Sequence, residues 1–214
     1  MKYFSRQRRS LKDAAVFIMP ISLIKINMDA YRIINRYYGT EGKLREILVR
    51  HSEAVGRKAM ECAEAHPELM IDRGFLRDAA LLHDIGIFLT DAPGIECHGK
   101  LPYICHGIAG ARLIREECGA LLGEDRAEAL ARVCERHTGA GLTAADIRVQ
   151  HLPLPERDYL PETLEEKLIC YADKFFSKGS DLDAEKPLDR VRASMSCHGA
   201  DTGARFEALH ALFG

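Results

Sequence analysis

The chain has 214 residues, 47% of them hydrophobic and 29% charged, and its 30 lysines and arginines against 32 aspartates and glutamates leave a formal net charge of −2. That mixture is an ordinary globular one. It excludes a collagen-like, coiled-coil or largely disordered chain, and the charge balance argues against a general nucleic-acid coat. No apolar run reaches the ~20 residues that a spanning helix requires, and seven cysteines without paired spacing read as reduced thiols.

Residues 1–28 differ from the rest. A basic start (Lys2, Arg6, Arg8, Arg9, Lys12) precedes an apolar stretch from Ala14 to Ile24, interrupted by Pro20. This has the outline of a secretory signal. However, Lys25 and then Asn27-Met28-Asp29 follow, with no small-residue cleavage site. The segment is therefore read as an N-terminal extension, disordered or a start-site artefact with Met28 as the true start. The folded unit is then 29–214, in a cytoplasmic chain.

From Asp29 onward the pattern is helical. A short helix is predicted over Tyr31 to Tyr38, ended by Gly39. A long one follows from about Gly42 to Ala65, with Leu44, Ile47, Leu48, His51, Val55 and Cys62 on one face. Asp72 is the N-cap expected for a helix through Phe75, Ala79, Leu82 and His83, which Gly86 ends. Thr90 to Pro102 is rich in Gly, Pro and Asp and reads as loop. Helices are then predicted at about Ile104–Glu117, Asp125–Arg136 and Thr143–Gln150, before a proline-bearing loop from Leu152 to Tyr159. Pro161-Glu162 is expected to open a helix reaching about Lys178, with Asp189–Met195 and Ala204–Phe213 helical beyond it. Alternating strand patterns are absent, so the fold class is an all-α bundle.

The chemistry lies in an ordered series of metal-type side chains. His51 lies mid-helix on the apolar face, and His83-Asp84 closes a helix in Leu-Leu-His-Asp-Ile-Gly. His106 opens a helix, His137 closes one, and Asp173 lies within Tyr-Ala-Asp-Lys. Each is set in apolar sequence, where an unpaired imidazole or carboxylate is costly to bury. Four imidazoles and two carboxylates neutralise one another around borderline divalent ions, with Fe or Mn favoured and Co, Ni or Zn also suited. Ca and Mg prefer all-oxygen shells. The repeated Cys-His pairs Cys97-His98 and Cys105-His106 lack a second cluster that would complete a zinc knuckle. His66, His151, His198 and His210 read as ordinary surface residues.

On these residues the chain resembles the HD-domain metal-dependent phosphohydrolases, whose signature is a His, an adjacent His-Asp pair and a distant Asp. Here those are His51, His83-Asp84 (in the HDIG form) and Asp173. His106 in His-Gly-x-x-Gly-Ala and His137 in His-Thr-Gly are similar to the six-ligand, two-metal subset that includes the symmetrical dinucleoside-tetraphosphate hydrolases. The resemblance implies an HD-domain helical bundle with one or two divalent transition-metal ions. His51, His83, Asp84 and Asp173 would form one site. His106 and His137 would form the other, with Asp84 bridging and a metal-activated water attacking phosphorus. Asp84 and Lys174 would be the catalytic residues.

Lys178, Arg57, Lys58, His98 and Lys100 are weaker phosphate-binding candidates, and Tyr37, Tyr38, Tyr103 and Phe88 read as packing. One departure stands out: Ile87-Phe88-Leu89 follows the HDIG run where many relatives place a basic residue. The expected function is hydrolysis of a nucleotide or dinucleotide phosphoester or phosphoanhydride. The alternatives are a mixed-valence di-iron oxygenase of the same superfamily and a non-catalytic nucleotide-sensing module. The expected partner is a small-molecule nucleotide, with no nucleic-acid polymer and no membrane. Sequence leaves the oligomeric state open.

Overall fold

The computed structural model describes residues 21–179 and 181–214. Among these, ten α-helices follow in order: α1 (Ile21–Tyr38), α2 (Lys43–Ala65), α3 (Arg73–Leu82), α4 (His106–Glu117), α5 (Gly119–Leu122), α6 (Glu124–Arg136), α7 (Ala144–Val149), α8 (Leu164–Asp173), α9 (Leu188–Cys197) and α10 (Ala200–Phe213). The architecture is the helical bundle expected. None of the described helices is long and apolar enough to cross a membrane.

Local signals set most of the boundaries. Asp72 caps α3, its carboxylate accepting from the backbone N–H groups of Gly74 and Phe75 at 2.9 Å each. Thr143 and Asp146 form a reciprocal capping box at the start of α7. α8 starts later than Pro161-Glu162, because the Thr163 hydroxyl accepts from the Glu166 N–H and so acts as N-cap. It also ends earlier, at Asp173. α1 begins at Ile21 rather than Tyr31, so residues 21–28 belong to the same helix as 29–38, and the rest of the expected N-terminal extension lies outside the described residues.

Packing places the helix ends around one point. α2 lies along α3, α4 along α6, and α8 touches α2, α3 and α6. α4 can approach the end of α3 because Gly86 has no side chain: a Cβ there would lie 2.3 Å from the His106 carbonyl oxygen and 2.4 Å from the Gly110 nitrogen. Gly107 has the same role toward α6, where a Cβ would lie 2.6 Å from the Cys134 carbonyl oxygen. The two glycines flanking the helix junctions therefore decide how close His106 can come to His83 and His137.

The stretch Thr90–Pro102 is not entirely loop. It forms a small sheet of β1 (Thr90–Ala92), β2 (Cys97–His98) and β3 (Leu101–Pro102) in the order β2-β1-β3, antiparallel on one side and parallel on the other. Strands of two or three residues carry no readable alternation. At the C-terminal end Tyr171 of α8 and Phe175 just beyond it pack on Phe206 of α10, with ring centroids 5.7 and 6.4 Å away, which fixes α8 from behind.

Candidate metal centre

Four helix junctions and one helix interior deliver the six predicted donors to a single buried cluster. His51 projects from the middle of α2. His83 and Asp84 occupy the turn after α3, His106 is the first residue of α4, His137 follows α6, and Asp173 is the last residue of α8. His51, His83 and Asp84 are wholly buried, and the least covered of the six, Asp173, is 9% exposed. Their donor atoms form two groups sharing Asp84: His51, His83, Asp84 and Asp173 in one, Asp84, His106 and His137 in the other, every pair in a group within 4.8 Å.

Asp84 is the centre of the arrangement. Its Oδ2 lies 3.2 Å from His51 Nε2 and 3.1 Å from His83 Nε2. Its Oδ1 lies 3.3 Å from His106 Nε2 and 3.4 Å from His137 Nε2. Each carboxylate oxygen thus faces its own pair of imidazoles. Asp173 Oδ1 closes the first group, 3.0 Å from His51 Nε2 and 3.6 Å from His83 Nε2.

The imidazoles are oriented by the backbone. Nδ1 of His83, His106 and His137 lies 2.7 Å from the carbonyl oxygen of Ala80, Tyr103 and Cys134 respectively, in each case three residues earlier. A carbonyl only accepts, so Nδ1–H donates and Nε2 is left facing the centre. His106 Nε2 and His137 Nε2 then face each other at 3.0 Å, two acceptors with no proton between them. Both oxygens of Asp84, His83 Nε2 and His51 Nδ1 make no hydrogen bond of acceptable geometry among the described residues. An unmet buried polar atom costs about 1–3 kcal/mol, so a cluster of them is stable only with a compensating charge. Nitrogen and oxygen donors in this mixture fit divalent transition-metal ions.

The HD domain family matches residues 48–177, the stretch that carries all six donors. The chain belongs to the HD-domain family. This HD protein is 40% identical over 142 residues to an uncharacterized protein of Methanocaldococcus jannaschii, covering 64% of this chain and 72% of that one. It is 34% identical over 165 residues to a protein of Picrophilus torridus named tRNA (cytidine(56)-2′-O)-methyltransferase, covering 77% of this chain and 41% of the relative. A Thermoplasma volcanium protein of the same name is 29% identical over 147 residues, 69% of this chain and 37% of the relative. The HD chain thus spans less than half the length of these two methyltransferases. No solved structure matches it.

Electrostatics in the HD cluster follow from burial and its compensation. Burial alone raises the carboxyl pKa of Asp84. The charges of Lys178 and His83 and the close approach of His137 and His51 more than offset it, holding the group well below the ordinary carboxylate range. Asp173 is likewise burial-opposed but held low by Lys174 and Lys178. Burial also works against protonation of His83, yet the Asp84 charge and the contact with Asp173 push its pKa up to about 9. His106 and His137 lie on the other side of Asp84, and there burial wins: His106 falls to about 3 and His137 falls as well. The second group is thus a pair of neutral imidazoles, the form that donates a lone pair.

Two of the predicted phosphate-binding candidates reach the cluster. Lys174 Nζ lies 2.6 Å from Asp173 Oδ2 and donates to the His137 carbonyl oxygen at 2.9 Å. Lys178 Nζ lies 2.5 Å from Asp84 Oδ2, brought back by the chain reversal after α8 rather than by a further helical turn. Arg57 and Lys58 do not reach it, since they pair with Asp183 at 3.8 Å and Glu185 at 2.7 Å. His98 and Lys100 are exposed on the small sheet.

Cysteine takes no part in either donor group. Tyr37 and Tyr38 pack on Phe88, as expected. Tyr103 does more, because it stacks on His106 at 4.7 Å and lines a cavity of about 480 Å³ beside the centre, together with Asp173, Lys174, Lys178 and Lys186. Lys186 carries no sequence signal, being an isolated lysine in a proline-flanked connection.

Proposed function

We propose that this HD domain is a metal-dependent phosphohydrolase acting on a nucleotide or dinucleotide phosphoester or phosphoanhydride. The observation that carries the reading is the division of Asp84, whose two oxygens each face two imidazoles without a hydrogen bond to satisfy them. His51, His83, Asp84 and Asp173 would hold one ion, and Asp84, His106 and His137 a second, with Fe or Mn first among the fitting metals and Co, Ni or Zn next. Divalent cations bound there supply Lewis-acid polarisation of a phosphoryl oxygen and lower the pKa of the attacking water.

The rest is done by the chain itself. The backbone carbonyls behind His83, His106 and His137 keep three Nε2 atoms aimed inward, so little reorganisation is needed at the moment of reaction. Lys174 Nζ is anchored by the His137 carbonyl oxygen and Asp173 Oδ2, where its remaining proton can meet an anionic oxygen of the phosphoryl group. Tyr103 covers the His106 ring and excludes water from that side. Seven cysteines free of disulfides suit a reducing compartment such as the cytoplasm. The name methyltransferase belongs to longer relatives, of which this chain matches less than half, and the buried cluster itself is the feature that favours metal-assisted hydrolysis.

The test is phosphate or nucleotide release from a panel of nucleoside mono- and triphosphates, dinucleoside polyphosphates and guanosine alarmones, with Mn, Fe and Co supplied in turn. Turnover of at least one class with redox-inert Co, lost in Asp84→Ala, is the expected result. Metal binding without turnover of any phosphate compound overturns it, and activity that demands both iron and oxygen points to the oxygenase alternative.

A further inference from the structure

We infer that Lys186 binds a second phosphate group, so that the substrate class of this HD domain carries at least two consecutive phosphates, as nucleoside di- and triphosphates do. The inference rests on the phosphohydrolase reading above and deepens it.

The cavity beside the centre is walled by the Ala92–Ile95 segment, Tyr103, the 173–179 turn, Lys186, and Ser194 and Met195 of α9. Its volume of about 480 Å³ lies within the range of small-molecule sites, roughly 300–1,000 Å³. Three of its lining residues are lysines, Lys174, Lys178 and Lys186, against a single carboxylate, Asp173. That carboxylate is already engaged by His51 and Lys174. An excess of ammonium groups in a concave recess concentrates a polyanion there.

The three lysines are not equivalent. Lys174 and Lys178 each touch a carboxylate of the donor cluster, so their place is at the reacting phosphoryl group. Lys186 has no carboxylate within ion-pair distance among the described residues. Its Nζ instead donates to the backbone carbonyl oxygens of Lys174 at 3.1 Å and Phe176 at 2.7 Å, just past the end of α8. An ammonium carries three protons, and two are thereby placed. The backbone around it is pinned as well, since the Lys186 N–H donates to the Phe175 carbonyl oxygen at 2.7 Å. Lys186 is thus a half-buried cation held rigidly at the cavity wall, on a different chain segment from the two lysines at the centre. A monophosphate bound at the cluster is served by Lys174 and Lys178. A third fixed ammonium, with one proton left after the two carbonyls, gains a ligand partner when the anion extends along the cavity.

Isothermal titration of the metal-loaded protein with orthophosphate, pyrophosphate and tripolyphosphate tests this without turnover. In Lys186→Met, affinity for pyrophosphate and tripolyphosphate should fall about tenfold, the worth of one charge-assisted hydrogen bond, with orthophosphate affinity within about twofold of wild type. Lys186→Arg should keep most of the preference for the longer anions. It also retains donors for the two carbonyls should the methionine variant unfold. Equal losses for all three anions mean that Lys186 only caps α8, and unchanged affinities mean that it does not meet the ligand; either result overturns the proposal. Hydrolysis confined to monophosphates overturns this inference and leaves the phosphohydrolase reading standing. Lys186-dependent pyrophosphate binding without hydrolysis of any nucleotide overturns the activity alone.

Discussion

Two regions of this HD domain bury carboxylates, and they treat them in opposite ways. Behind α6, Glu135 accepts from Arg115 and Arg157 at 3.0 and 3.1 Å. Glu166 accepts from Arg132 at 2.9 Å, from Arg136 at 3.2 Å and from the Glu162 N–H at 2.7 Å. Their lone pairs are met by guanidinium forks and backbone. At the centre, Asp84 is as deeply buried, yet it lacks hydrogen-bond geometry at both oxygens, and even the nearby Lys178 approaches only as an ion pair. The first region closes its charge within the protein. The second meets its charge only through the Lys178 ion pair and leaves both oxygens without a hydrogen bond. Asp78 on α3 lies between these limits, with Oδ2 on Arg126 at 2.7 Å and Oδ1 unmet.

The comparison can be broken at each level. Asp84→Asn should have the largest effect, removing the one charge shared by both donor groups. Activity should fall about 10³-fold or more, ~4 kcal/mol of transition-state stabilisation, and the rise in melting temperature on adding Mn should vanish. If that variant still binds two metal equivalents as tightly as wild type, Asp84 is no bridge.

Glu166→Ala should act on stability instead. Two arginines lose a buried partner, at a cost of about 3 kcal/mol in urea denaturation, while metal content stays at the wild-type value. A loss of metal without a loss of stability would erase the distinction between the two regions.

Asp78→Asn should have the smallest effect, and it depends on pH. Burial, partly opposed by Arg126 and reinforced by Asp29 and Asp72, pushes the Asp78 carboxyl up to about 6 from its ordinary 3.8. The folded state therefore holds this proton more tightly than the unfolded chain. Wild-type stability should decline through this group as pH rises from about 4 to 6 and be flat above that, by about 1 kcal/mol given the partial exposure of Arg126. The asparagine variant should lack that slope in denaturation curves at pH 4.5 and 6.5.

Much of the fold was legible because its signals are local. The Asp72 cap, the face of α2 that carries His51 and the ends of α4 and α6 at His106 and His137 each depend on residues within a turn or two. What was missed either turned on a competition between neighbouring signals, fell in segments too short to read, or depended on partners far along the chain. Thr163 outcompetes Pro161 as the start of α8 because its hydroxyl finds the Glu166 N–H, and the strands at Thr90–Pro102 are too short to show a period. Arg57 and Lys58 looked available for phosphate until Asp183 and Glu185 came to lie against them.

Residue order alone determined that this is a helical HD domain and pointed to six candidate donors, because an imidazole or carboxylate set in apolar helical sequence stands out wherever its partners lie. Only the tertiary structure decided which imidazoles share which oxygen of Asp84, which lysines face the cavity and which are spent on surface acids. Those outcomes are set by how closely the helices approach across Gly86 and Gly107 and by where the chain turns back after Asp173, and neither quantity is encoded in any short window of residues.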